Sequence, residues 1–130
     1  MRNFSIATVI SLSTLAFSQP VKADPNLSYT SAYKFISTSN HLKDQEFRVY
    51  ILKWLEQDKG YPYEAAMSFC ESRRQRRSTS QFMEMSRGQL MQRKVLEGWS
   101  ESRFEAYLEI NLAGAISGIE HQYCPNPSRN

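Results

Sequence analysis

Arg73-Arg74-Gln75-Arg76-Arg77 is the densest run of like charge in this 130-residue chain. Four guanidinium groups this close suit three kinds of chemistry. They can finish a helix, where a cation favours the negative end of the backbone dipole by about 0.3–1 kcal/mol. They can hold an anionic partner such as a lipid headgroup, a glycan or an acidic protein. Arg74-Gln75-Arg76-Arg77 also has the form of a site cut by basic-specific proteases of secretory precursors. On that alternative the chain is a secreted precursor processed at the run. Cys70 and Cys124 are the other reactive pair. An oxidising compartment joins an even pair as a disulfide. A reducing one leaves Cys124 with Glu120 and His121 as a thin set of metal ligands on one helix face.

The remaining candidates are weaker. Glu101, Glu105 and Glu109 stand four apart, so a helix lines them up, yet paired carboxylates catalyse only where burial drives their pKa values apart. They read as a solvent-facing stripe that part of the arginine run can face. His41 and His121 have no serine–acid arrangement legible beside them, and no glycine-rich loop is present to cradle a phosphate. The fourteen aromatics after residue 23, Trp54 and Trp99 among them, read as core rather than as a ligand cage. The expectation is no enzyme, no cofactor and no metal.

The compartment follows from the first residues. Met1-Arg2-Asn3 is a short charged start, Phe4 to Phe17 is mostly apolar, and Val21-Lys22-Ala23 places an aliphatic and a small residue where a signal peptidase reads. Residues 1–23 are expected to be a cleaved signal peptide. The apolar stretch is broken by serines and threonines and falls short of the roughly 20 residues that span a bilayer. No transmembrane anchor is expected after cleavage, and the product is periplasmic or extracellular. The full chain carries 16 bases against 13 acids. Without Arg2 and Lys22 the bases fall to 14, for a net charge of +1. That excess is too small for a polybasic nucleic-acid binder. Export favours the Cys70–Cys124 disulfide, and a closed loop of about 55 residues implies roughly 4 kcal/mol of stabilisation at the upper end.

The elements that must position these residues are helices. Residues 24–42 are rich in Ser and Thr and read as an N-terminal arm rather than a core element. From about Lys43 to Lys59, Phe47, Tyr50, Ile51, Trp54 and Leu55 form one apolar stripe, with Asn40 as cap and Gly60 as the left-handed stop. Pro62 opens a second helix carrying Ala65, Ala66, Phe69 and Cys70 inward. Ser78 with Gln81 offers a capping box for a third over about 79–97, and Ser102 with Glu105 another for the last. In that last helix Phe104, Leu108, Leu112, Ile116, Ile119 and Tyr123 recur every three or four residues until Pro125 stops it. Gly114 and Gly118 cost about 1 kcal/mol each relative to alanine, so close helix packing, within the chain or against a second subunit, must offset them. The fold class is all-α, a compact bundle of about four helices over 43–125, closed by one disulfide, with a tail at 126–130.

One pattern within this grammar is familiar. A helix ending Leu55-x-x-x-x-Gly60, Ala65-Ala66 before Cys70, a Gly98-x-Ser100 helix start and a final Tyr123-Cys124-Pro125 together resemble the small secreted DUF732-like proteins of bacteria, over about residues 47–126. Arg73 to Arg77 departs from it, standing where a glycine usually ends the second helix. The resemblance implies a compact helical domain with one disulfide and no established activity. The expected role is binding or structural interaction, with an unknown protein or an anionic surface as partner, by a monomer or weak dimer.

Overall fold

The computed structural model describes residues 24–124. The expected signal peptide, the stop at Pro125 and the tail at 126–130 lie outside the described residues. Five helices follow one another: α1 (Pro25–Thr38), α2 (Gln45–Gln57), α3 (Tyr61–Arg74), α4 (Thr79–Glu97) and α5 (Glu101–Glu120). No strand occurs among the described residues, so the all-α class holds. None of the described helices is long and apolar enough to cross a membrane.

The fifth helix is the one the Ser/Thr-rich arm conceals. Asp24 caps α1 by accepting from the Asn26 N–H, and Pro25 fits its first turn, where a missing donor costs nothing. Ser28, Ala32 and Ile36 recur every four residues and are all fully buried. The arm at 24–42 is therefore corrected to a core helix and its connection. Its inner face looks polar because it is a close-approach face: Ser28 Oγ lies 3.2 Å from Ser117 Oγ inside the bundle. The far end of α1 is capped from α2, where the Arg48 guanidinium donates to the carbonyls of Ile36, Ser39 and Leu42. One side chain thereby satisfies carbonyls that would otherwise have no partner.

Several boundaries move for local reasons. Asp44, not Asn40, caps α2, accepting from the N–H groups of Glu46 and Phe47. Gly60 is right-handed, with φ −80°, and starts α3 instead of ending α2. The Ser78–Gln81 capping box forms in full, and Gly98 ends α4 in the left-handed conformation with φ 68°. Ser100 caps α5 by accepting from the Arg103 N–H, replacing the expected Ser102–Glu105 box.

The last helix packs against all four others, most extensively against α3. That central position overturns the middle of its expected stripe, whereas Phe104 and Tyr123 are buried as expected. Tyr107, Ile110, Ala113, Gly114, Ser117 and Gly118 face inward, whereas Leu108, Leu112 and Ile116 are only partly covered and Ile119 is 50% exposed. A helix surrounded by neighbours needs small residues where backbones approach, so its bulky residues move to the less covered side.

Candidate functional site

The disulfide and the two glycines lie on the α3–α5 side. Cys70 and Cys124 are bonded, with Cα atoms 4.8 Å apart, and they tie α3 to the segment after α5. A Cβ at Gly114 would stand 2.5 Å from the Pro62 carbonyl oxygen and 2.7 Å from Ala65 Cβ, so only glycine fits without moving backbone. At Gly118 the nearest atom would be Ala66 Cβ at 3.5 Å, an ordinary contact. The close packing is therefore with α3 of the same chain. His121 Nε2 lies 2.6 Å from Ser31 Oγ, and Cys124 is committed to Cys70.

The arginine run closes α3. Arg74 pairs with Glu71 at 2.9 Å, and the Arg73 guanidinium lies over the Phe69 ring. Arg76 takes the left-handed position, φ 63°, and the Arg77 N–H reaches the Ser72 carbonyl at 3.0 Å, completing a helix-ending turn that usually contains glycine. The acidic row does not face this run. Glu101 pairs with Lys94 at 3.0 Å and Glu109 with His41 at 2.8 Å. Hydrogen bonding from Lys94 lowers the Glu101 carboxyl, whereas burial and the neighbouring Glu101 and Glu109 charges raise Glu105.

Ser39, His41 and Glu109 form a line that the sequence does not reveal. Ser39 Oγ is 2.5 Å from His41 Nδ1, and the Glu109 carboxylate meets Nε2. The order is the reverse of a hydrolase triad, in which the acid holds Nδ1 and the base nitrogen faces the serine. Ser39 also stands at the carbonyl end of α1, where an oxyanion would meet like charge. This line is a strap between the α1–α2 connection and α5.

Two surfaces remain that are not explained by packing. The first is the outer face of α4. Phe82, Ser86 and Leu90 turn inward, while Met91, Val95 and Leu96 are 39%, 75% and 84% exposed. With Gln92 those three residues line a shallow cleft of about 350 Å³. Gly88 lies one turn before Gln92, and a Cβ added there would meet nothing within 4 Å.

The second is a cluster of aromatic and cationic side chains where α2, α4 and α5 meet. The Arg103 guanidinium carbon is 3.9 Å from the centre of the Trp54 ring and 4.7 Å from that of Trp99, so the group lies against both indoles. Arg93 also lies over Trp99, at 4.7 Å, and pairs with Glu97. Trp99 and Tyr107 stack at 4.5 Å, and Tyr107 donates to Asp58 at 2.9 Å. Burial and that bond push the Tyr107 phenol up to about 12. On the outer side Phe47, Tyr50 and Trp54 form a half-buried row along α2, with the Lys53 ammonium 5.2 Å from the Trp54 ring. Tyr50 Oη is 3.5 Å from Ser100 Oγ. Burial would raise this phenol, but the Ser100 hydroxyl, the nearby polar edge of Trp54 and the charges of Lys53 and Arg103 outweigh it and lower the pKa.

Periodicity placed Trp54 on an apolar stripe and left the cluster unrecognised. The available signal was the spacing of Arg103 and Tyr107, four apart on one face of α5, with Trp99 just before the cap of that helix. No protein-family model matches the chain, and no curated protein or solved structure matches it either.

Proposed function

We propose that the chain is a small exported helical domain that works by binding and structural interaction rather than by catalysis, and that the outer face of α4 joins it to a second copy of itself. The observation carrying this reading is the exposure of Val95 and Leu96 beside a glycine whose Cβ side is open. Two copies of α4 placed antiparallel about a two-fold axis between Met91 and Gln92 set each Val95 over the partner's Gly88, because the two positions are equidistant from the axis. One surface serves both sides, as a two-fold interface requires. Met91, Val95 and Leu96 form one exposed apolar patch of the kind that often marks an interaction surface. Three apolar side chains with flanking glutamines make a small patch for specific association, so the dimer is weak. A net charge near +1 without the leader opposes pairing only slightly.

Export rests on the leader-like start, and the disulfide is compatible with an oxidising compartment. The resemblance to DUF732-like proteins rests on the spaced cysteines and the terminal Tyr-Cys-Pro alone. Processing at the arginine run is the less favoured reading. The N–H groups of Gln75, Arg76 and Arg77 are all bonded within the end of α3, and a protease needs that backbone extended. Intact mass of the exported product, with and without reductant, reports leader removal, the disulfide and any cut together. Sedimentation over a concentration series tests association. The chain is expected to move from monomer to dimer as concentration rises, and Val95→Glu with Leu96→Glu is expected to remain monomeric with unchanged helicity. A wild-type monomer at every concentration overturns the dimer.

A further inference from the structure

Arg103 has three aromatic neighbours, Trp54, Trp99 and more distantly Tyr107 at 5.9 Å, and it forms no ion pair with a carboxylate among the described residues. The ion pairs that reach the α4 and α5 cluster belong to Arg93 with Glu97 and Lys94 with Glu101, and Asp58 is engaged by Tyr107. Among the described residues neither Arg103 nor Lys53 forms a salt bridge. The Arg103 Nε–H and the Trp54 Nε1–H are both buried without an acceptor, although the indole leans toward the Tyr50 phenol. Both groups can only donate. A buried donor without a partner is uncommon in folded proteins and calls for an acceptor. Two such donors on one stacked pair, beside an unpaired ammonium and the Tyr50 and Ser100 hydroxyls, define an environment prepared for negative charge.

We propose that the corner formed by Tyr50, Lys53, Trp54, Ser100 and Arg103 binds an organic carboxylate. The guanidinium lies against both indoles, which restricts its motion and limits the entropy lost on binding an anion. Lys53, on the solvent side, supplies the second charge. The half-buried rings of Phe47 and Tyr50 continue the surface outward along α2 and receive the apolar body attached to the carboxyl group. An organic carboxylate rather than inorganic phosphate fits the corner because the half-buried aromatic row beside the cations gives an apolar body a surface to cover, which phosphate lacks. The site is independent of the α4 face, since the Gly88–Val95 surface and the α2 row are on different helices.

The two tryptophans of the chain both contact Arg103, so intrinsic fluorescence reports this corner directly. Benzoate added to the disulfide-intact protein is expected to change that fluorescence saturably. Acetate, which has no apolar body, should bind at least tenfold more weakly, and inorganic phosphate should not compete. Arg103→Lys keeps the charge but loses the planar fork, and it should weaken benzoate at least tenfold. Lys53→Gln changes an exposed residue that the fold does not need, and it should weaken binding severalfold and flatten its salt dependence. A second readout is the Tyr50 phenol, whose titration by ultraviolet absorbance should move up in benzoate, because a bound anion opposes phenolate. Equal benzoate response in wild type, Lys53→Gln and Arg103→Lys, or no saturable response at all, overturns the site. Phosphate binding in place of benzoate overturns the carboxylate assignment.

Discussion

Gly114 and Gly88 both interrupt long helices, and each costs its helix about 1 kcal/mol relative to alanine. The bundle treats them in opposite ways. Against Gly114 the start of α3 comes so close that a single methyl group would collide with the Pro62 carbonyl and Ala65. Above Gly88 there is open space. The first glycine belongs to a seam made inside the chain, stapled by Cys70–Cys124 and filled by small residues. The second belongs to a helix that leans on the bundle through Phe82, Ser86 and Leu90 and leaves Val95 and Leu96 to solvent. The contrast teaches that a glycine within a helix marks close approach only where a partner exists to approach. At Gly88 that partner is not part of the same chain's packing.

The largest test acts on the stapled side. Replacing Cys70 and Cys124 by serine removes a cross-link over a separation of 54 residues. The expected loss is about 2–4 kcal/mol of unfolding free energy, read by denaturant titration. Amide exchange should rise first in the segment after α5 and at the end of α3, with α4 little changed. A uniform rise through all five helices would show that the two sides are not separate. Next comes Gly114→Ala, expected to lower stability by about 1–3 kcal/mol, because backbone must shift and the gain in helix propensity does not compensate. Gly118→Ala is the control on the same seam. Its methyl group would reach Ala66 at an ordinary distance, so the variant should be neutral or slightly more stable.

What the sequence showed and hid follows the same division. The Ser78–Gln81 box and the Gly98 stop are short-range devices, and their residue types identify them without knowledge of the fold. The all-α class and the cysteine pair were legible for the same reason, since helix periodicity and cysteine parity are local or countable. The burial face of α5 was not legible, because it depends on how many helices surround it; the aliphatic repeat from Leu108 to Ile119 marks its least covered side. Ser28, Ala32 and Ile36 were misread as an arm because small and hydroxylated residues resemble a loop until a second backbone is placed against them. The Trp54–Arg103–Trp99 stack joins residues from different helices, so only the packing assembles it.

Gly88→Ala tests the open side and should change sign with the quantity measured. In the monomer the methyl group meets nothing, so the helix gains roughly 0.5–1 kcal/mol and the melting temperature rises. In the pair the same methyl group lies where the second copy's Val95 seats, so the dimer dissociates at lower concentration. A variant that melts higher and still dimerises as well as wild type would separate Gly88 from the interface and leave Val95 and Leu96 as its remaining support.

The smallest effect concerns charge rather than shape, and it belongs to α5 where it faces α4. There Lys94 reaches Glu101, while Glu105 stands between Glu101 and Glu109 and has its carboxyl raised by burial and by those neighbours. A raised pKa means that the folded chain holds the proton more tightly than the unfolded chain. That advantage is complete below the ordinary carboxylate range and is lost as pH rises through the folded value. At neutral pH an ionised Glu105 therefore opposes folding. Glu105→Gln should stabilise the domain there by a few tenths of a kcal/mol, a value kept small by solvent screening. The difference from wild type should vanish in acid and shrink in salt as the Debye length falls below about 8 Å. The Gly114→Ala loss should depend on neither pH nor salt, because contact between backbones sets it. A Glu105→Gln gain that persists unchanged in acid would mean that the substitution acts through packing, and the assignment of charge to one side and shape to the other would fail at this residue.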